Sequence, residues 1–243
     1  MPEFPPPQIS VVVPVYNEEG ACAELAREIA AAFAGTAHEI IFIDDDSKDG
    51  TRAALQALKA ELPQLRVLTH GRNAGQSRAV RTGVIAARGA IVVTLDGDGQ
   101  NDPADAPRLA ARLAEAPPAL GLVGGERVKR RDTAAKRIAS RLANGIRKRL
   151  LNDQANDTGC GLKAFRRDAF LRLPYFDHIH RYLPALMIRE GFEVAFEPVN
   201  HRPRTTGASK YTNLQRLWAA LSDLLGVMWL NTRSRRPEPV DEI

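Results

Sequence analysis

The chain is poor in the residues that build several common kinds of site. It has only two cysteines, Cys22 and Cys160, far apart in sequence. That excludes a disulfide framework and a cysteine-ligated metal cluster, and it fits a reducing cytoplasm. The five histidines, His38, His70, His178, His180 and His201, fall at no close metal-binding spacing and read as surface or loop residues. No apolar run approaches the ~18 to 20 charge-free residues that a membrane span needs. Residues Met1–Pro7 are Pro-rich, lack an apolar core and do not read as a signal peptide. A G-x-G-x-x-G turn is missing after the first apolar run. Its place is taken by Pro14-Val15-Tyr16-Asn17-Glu18-Glu19-Gly20, which excludes the usual dinucleotide-binding turn.

What the chain has is alternation. Its 243 residues suffice for one large α/β domain with a full core. Apolar runs at Ile9–Val15, Glu39–Asp44, Leu65–Thr69, Ala90–Leu95 and Leu120–Gly124 read as strands. Helical patterns lie between them at Ala21–Ala34, Thr51–Glu61, Gln76–Arg88 and Pro103–Glu115, the last opened by an Asp102 N-cap. This order predicts an α/β fold, a mostly parallel sheet with helices on both faces. Ligands of such sheets bind beyond the carboxyl ends of the strands. Tyr16-Asn17-Glu18, Asp44-Asp45-Asp46 and Asp96-Gly97-Asp98 all fall there.

The second half is less regular. It reads as a basic helix near Thr133–Leu150, a loop Asp157–Gly161 and a helix near His180–Glu190. A short strand near Glu193–Phe196, a loop His201–Lys210 and a final helix follow. Residues 1–8 read as a Pro-rich tail, 9–211 as the domain, 212–230 as an amphipathic helix and 231–243 as a flexible tail. Lys and Arg exceed Asp and Glu by 34 to 29, and Arg127–Arg149 alone holds ten basic residues against Asp132. Such a patch suits phosphates or an anionic membrane. It has too little aromatic interleaving for nucleic acid.

Asp96-Gly97-Asp98 closes the apolar run Ala90–Leu95. Residues two apart in a strand face the same side, so the two carboxylates can converge just past its end. Close carboxylates repel unless a cation lies between them. A divalent metal with oxygen ligands fits, and such metals commonly bridge to phosphates. A calcium loop fits worse, because Asn101 and Pro107 stand where its Gly and Glu belong. The alternative for the triplet is a polar turn.

Four segments in order resemble the motifs of family 2 glycosyltransferases: Val13–Glu18, Ile43–Thr51, Asn73–Gln76 and Asp96–Gln100. The resemblance implies a GT-A (Rossmann-like) fold, a nucleoside-diphosphate-sugar donor and metal-dependent inverting transfer. Asn101-Asp102-Pro103, Thr158–Arg167 and Arg204–Tyr211 are similar to the polyprenyl-phosphate branch, the dolichyl-phosphate mannosyltransferase-like enzymes. Asp46 and Cys160 depart from that pattern, which usually has Gly and Ser there.

The resemblance assigns roles by position. Pro14, Tyr16, Glu18, Gly75, Gln76 and Asp96 would line the nucleotide-sugar site, with Asp44 or Asp45 accepting from the base. Asp96, Asp98 and Gln100 would hold Mg²⁺ or Mn²⁺. Asp98, Arg127 and Asp157 would act in catalysis, Asp157 as a base or as an orienting group. Arg204, Ser209 and Lys210, then Lys136, Arg137 and Ser140, would hold the acceptor phosphate. The expected activity is transfer of a hexose-type sugar to a polyprenyl phosphate at the cytoplasmic face of the membrane. Rival readings are a hydroxyl acceptor and a non-catalytic nucleotide-sugar-binding protein.

Leu214, Leu217, Trp218, Leu221, Leu224, Leu225, Met228 and Trp229 form one stripe at helical spacing, with Ser222 and Asp223 on other faces. The stripe suits a helix lying in the membrane interface, holding the enzyme peripherally. Packing on the core, or a homo-oligomer contact, would use the same residues.

Overall fold

The computed structural model describes residues 7–128, 145, 147–203 and 213–234, the side chains of 213–219 excepted. Lys136, Arg137, Ser140, Arg204, Ser209 and Lys210 lie outside the described residues.

The strands are β1 (Ile9–Val15), β2 (His38–Asp44), β3 (Leu65–Thr69), β4 (Ile91–Thr94), β5 (Leu120–Arg127), β6 (Lys163–Arg166) and β7 (Glu193–Val199). They form one seven-stranded sheet in the order β3-β2-β1-β4-β6-β5-β7. The helices are α1 (Glu19–Ala32), α2 (Thr51–Leu58), α3 (Gln76–Ala86), α4 (Ala106–Glu115), α5 (Arg167–Arg172), α6 (Leu183–Arg189) and α7 (Asn213–Thr232), and residues 147–151, at the end of the expected basic helix, are helical as well. Single 3₁₀ turns precede α4 (Pro103–Asp105) and α6 (Ile179–Arg181).

β1 shows why the sheet is covered on both faces. Its run Ile-Ser-Val-Val-Val-Pro-Val is β-branched and almost wholly buried. Val11, Val13 and Val15 pack with Leu25 and Ile29 of α1, Leu55 of α2 and Leu109 of α4. Val12 faces the opposite side, with Ile41, Ile43, Val80 and Val84 of α3 and Leu186 of α6. Burying a side chain of this size contributes about 2 kcal/mol.

The sheet is mostly parallel, as expected: β1 pairs with β2 and β4, β2 with β3, and β5 with β7. β6 and α5 were not anticipated from the sequence. β6 runs antiparallel between β4 and β5. Its segment, Lys163-Ala164-Phe165-Arg166, carries charges at both ends and shows no apolar run. Arg166 earns that place by donating to the carbonyls of Leu113, Ala116, Pro117 and Leu120, closing the end of α4. The element expected as one helix from Pro103 begins as the 3₁₀ turn, with Asp102 accepting from the Ala104 N–H as its cap.

α7 divides the apolar stripe. Val227 is fully buried, and Leu224, Met228 and Leu230 pack on the α3/α6 side of the core. Asp223, expected on another face, turns inward and pairs with His178 at 2.8 Å. Leu221, Leu225 and Trp229 form a separate outward ridge, 47%, 58% and 58% exposed.

Candidate active site

β1 is the switch point of the sheet, with β2 on one side and β4 on the other. The chain leaving β4 crosses its end closely. A Cβ on Gly97 would lie 2.5 Å from Val15 Cγ1 and 2.7 Å from the Pro14 carbonyl oxygen, so the turn between Asp96 and Asp98 needs glycine. Pro14, Tyr16 and Glu18 are half-buried at the end of β1.

The end of β2 is closed by its own chain. Asp44 accepts from the Ser47 N–H at 2.9 Å and from Arg52 Nε at 2.9 Å. Asp45 accepts from the Ala74 N–H at 2.9 Å, the Gly75 N–H at 2.7 Å and His70 Nδ1 at 2.7 Å. Its backbone carbonyl takes Asn73 Nδ2. Asp45 thus seats the Asn73–Gly75 turn, where Gly75 has a φ of 86° and opens α3. Neither aspartate accepts from a backbone N–H of α2. The chain entering α2 is held by Asp49, which accepts from the Thr51 N–H at 3.0 Å and hydroxyl at 2.5 Å. His70 also departs from the surface reading, because its Nε2 reaches Thr82 Oγ1 at 2.9 Å. Further along, His178 pairs with Asp223 and His180 with Ser77 Oγ at 2.7 Å. Burial pushes the His180 imidazole well below its usual value, and Arg181 adds to the effect, so the ring is neutral.

The end of β4 is different. Asp96 Oδ1 accepts from Gln76 Nε2 at 2.8 Å, and its N–H donates to Asn101 Oδ1 at 2.9 Å. Asp98 Oδ1 accepts from the Gln100 N–H at 3.2 Å. Burial, with the Asp98 charge beside it, pushes the Asp96 carboxyl above the usual carboxylate range. A buried carboxylate raised by the charge of its neighbour fits a divalent cation with oxygen ligands. Among the described residues, no three carboxylate, histidine or cysteine side chains form a cation cage. Gln100 is tied in through its backbone, its carbonyl accepting from the Arg202 N–H at 2.9 Å.

Arg127 and Asp157 come together as a bidentate pair, at 2.6 Å and 2.7 Å. Asp157 outweighs the effect of burial and holds the Arg127 guanidinium above its usual value. Sequence reasoning missed Lys163. It is buried on β6, in register with Thr94 of β4, and its ammonium donates to the Cys160 carbonyl. Burial pushes that ammonium below its usual value against the pull of nearby Asp96 and Asp157. The position lay inside the Thr158–Arg167 motif, but no strand pattern marked it. Arg202 was missed as well. It joins Glu28 of α1, at 2.7 Å, and Asp102, at 2.8 Å, and so fixes the chain just before Arg204.

The model of glycosyl transferase family 2 matches residues 10–173. The chain belongs to this family. It is 34% identical over 236 residues to dodecaprenyl-phosphate galacturonate synthase of Rhizobium johnstonii, covering 95% of this chain and 69% of that protein. It is 36% identical over 207 residues to undecaprenyl-phosphate 4-deoxy-4-formamido-L-arabinose transferase of Shewanella sediminis, covering 84% and 61%. The chain therefore spans about two thirds of the length of these relatives. The mannosyltransferase PcManGT of Pyrobaculum calidifontis, solved with GDP-Man and Mn²⁺, shares the fold at a TM-score of 0.66 and 21% identity, covering 97% of this chain and 66% of that one. The GT-A expectation and the family expectation are both borne out.

Proposed function

We propose that this chain transfers a hexose-type sugar from a nucleoside diphosphate to a polyprenyl phosphate, with inversion, making a lipid-linked sugar. The observation that carries the reading is the Asp96–Asp98 pair at the switch point of the sheet. Asp96 and Asp98, with Gln100, would hold Mg²⁺ or Mn²⁺, which supplies charge neutralisation for the departing nucleoside diphosphate. A cation site with no third carboxylate, histidine or cysteine among the described residues leaves room for diphosphate oxygens. Pro14, Tyr16, Glu18, Gly75 and Gln76 surround the donor in this reading, and Asp44 and Asp45 act from behind by shaping the turns that present them. Gln76 positions Asp96.

The acceptor follows from Asp157. A hydroxyl acceptor needs a general base, whereas a phosphate monoester is already ionised at neutral pH and needs placement. Both Asp157 oxygens are committed to Arg127, which favours orientation of Arg127 over proton abstraction. The names of the relatives, both polyprenyl-phosphate sugar transferases, support the same choice. Arg204, Ser209 and Lys210, with Lys136 and Ser140, complete the phosphate site in this proposal.

Among the described residues no helix is long and apolar enough to cross a membrane. The outward ridge Leu221-Leu225-Trp229, with Arg233 5.8 Å from the Trp229 ring centre, suits the interface of a cytoplasmic leaflet. Flotation with anionic liposomes should carry the wild-type chain and lose Trp229→Ser without a change in melting temperature. The main experiment incubates the protein with GDP- and UDP-hexoses, undecaprenyl phosphate in detergent, and Mn²⁺ or Mg²⁺. A lipid-linked sugar seen by mass spectrometry, and abolished by EDTA, is the expected result. Nucleotide-sugar binding with no transfer to the lipid would overturn the acceptor assignment.

A further inference from the structure

Asp96 lies against a residue of the loop entering β6 that has no side chain. A Cβ added to Gly161 would sit 2.2 Å from Asp96 Oδ2, 2.3 Å from its Cγ and 2.5 Å from its Oδ1. The carboxylate therefore rests face-on against the Gly161 backbone. Asp is a short side chain, so its carboxylate can yield to a methyl only by leaving this position. What matters is that this carboxylate is held in one place from several sides.

The seat is itself fixed. Thr94 Oγ1, at the end of β4, donates to the Gly161 carbonyl at 2.8 Å. Lys163 donates to the carbonyl of Cys160, the residue before Gly161. The Gly125 N–H of β5 takes the carbonyl of Leu162, the residue after it, at 2.9 Å. Opposite the seat, Gln76 Nε2 holds Asp96 Oδ1. The carboxylate is thus clamped between the α3 N-terminus and the loop entering β6. That same loop carries Asp157, and a Cβ on Gly159 would lie 3.1 Å from Arg127 Nη2.

We propose that Gly161 is a positioning residue for Asp96: its bare Cα sets the place of the carboxylate, and the loop before β6 thereby ties Asp96 to the Arg127–Asp157 pair. The proposal deepens the reading of Asp96 as a cation ligand. Its physical core, the seat, does not depend on that reading. Any side chain at position 161 must push Asp96 off Gln76, because the atoms it meets are carboxylate atoms and the backbone around it is held.

A melting cycle on the metal-free, full-length protein tests the seat. Gly161→Ala should lower the melting temperature by about 3–8 °C, the range for one methyl forced into a tight contact in a domain of this size. In an Asp96→Ala background the clashing atoms are gone, so Asp96→Ala/Gly161→Ala should melt as Asp96→Ala does. If Gly161→Ala fails to fold, restored folding of the double variant decides for the seat. A loss that persists in full in the double variant overturns it, because the methyl then acts elsewhere. A wild-type melt for Gly161→Ala also overturns it unless Mn²⁺ binding has fallen.

The second arm measures Mn²⁺ alone, by paramagnetic resonance of the free ion. Gly161→Ala should weaken Mn²⁺ binding about 10-fold, as loss of a ligand's support does. Gly159→Ala, a methyl in the same loop facing Arg127, should leave it unchanged. Equal weakening by both would mean general loop distortion and refute the assignment to Gly161. Should the wild-type protein bind no Mn²⁺, the cation reading fails while the melting cycle still decides the seat.

Discussion

The two strands beside β1 both end in aspartates, and the two ends do opposite things. At the end of β2, Asp44 and Asp45 are met by Arg52, His70 and three backbone N–H groups. At the end of β4, Asp96 receives the Gln76 amide and faces the charge of Asp98. Burying a carboxylate is costly unless donors or cations meet it. The β2 end meets that cost with its own chain, so its aspartates shape a turn. At the β4 end burial and the charge of Asp98 keep Asp96 raised despite nearby Lys163 and Arg127, and under the proposed function a cation with a diphosphate completes the site. Carboxylates at a strand end are therefore informative through their partners more than through their presence.

Substitutions at the two ends should separate activity from stability. Asp98→Ala should lower turnover about a thousandfold, the scale for losing a preorganised charge at the reacting centre. It should also abolish metal-dependent binding of the nucleoside diphosphate in a calorimetric titration. The fold should hold, because one of two repelling charges is removed. Normal turnover of Asp98→Ala in excess EDTA would erase the contrast.

Asp45→Ala should do the reverse first. It strands the Ala74 and Gly75 N–H groups and His70, at a cost of about 3 kcal/mol in denaturant unfolding. Activity should fall in step with the folded fraction and with donor affinity, since Gly75 and Gln76 lose their seat. If Asp45→Ala unfolds like wild type yet cannot bind donor, the β2 end contacts ligand directly, and the comparison drawn above is wrong.

Much of this was legible in the sequence. The β-branched runs and the helical patterns between them located β1 to β5 and α1 to α4 to within a few residues, most plainly at β1, β2 and β4, which are buried on both faces. Asp96 and Asp98 were found at their strand end, for the local reason that strand geometry fixes their side. The partners of Asp45 were not legible. They come from a turn far along the chain, and no local pattern signals a contact between β2 and residues 70–75. β6 was hidden for a related reason: a buried lysine and a carbonyl-capping arginine make a strand that looks polar. Helical periodicity found the stripe on α7 but could not say that Asp223 would turn inward, since His178 provides the reason.

The smallest expected effect is a difference in sign. Asp49, in the loop leaving β2, lies below its usual range: burial acts to raise it, but hydrogen bonds from Thr51 and from the Glu19 N–H outweigh burial. A carboxyl lowered in the fold stabilises above its unfolded value, about 3.9, and loses that contribution as pH falls through the folded value. Asp96 is raised by burial and by Asp98, so the metal-free fold holds its proton more tightly than the unfolded chain does. Its contribution is therefore fully present below about pH 3.9 and is lost as pH rises through the folded value. Melting temperatures measured in EDTA across the acid range test this for wild type, Asp49→Asn and Asp96→Asn. Asp49→Asn should lose the contribution of the lowered carboxyl near neutrality and converge with wild type in acid. Asp96→Asn should gain stability near neutrality and approach wild type in acid. Parallel curves for the two variants would mean that both strand ends meet their charges equally well, and the β4 end would then give no reason to bind a cation.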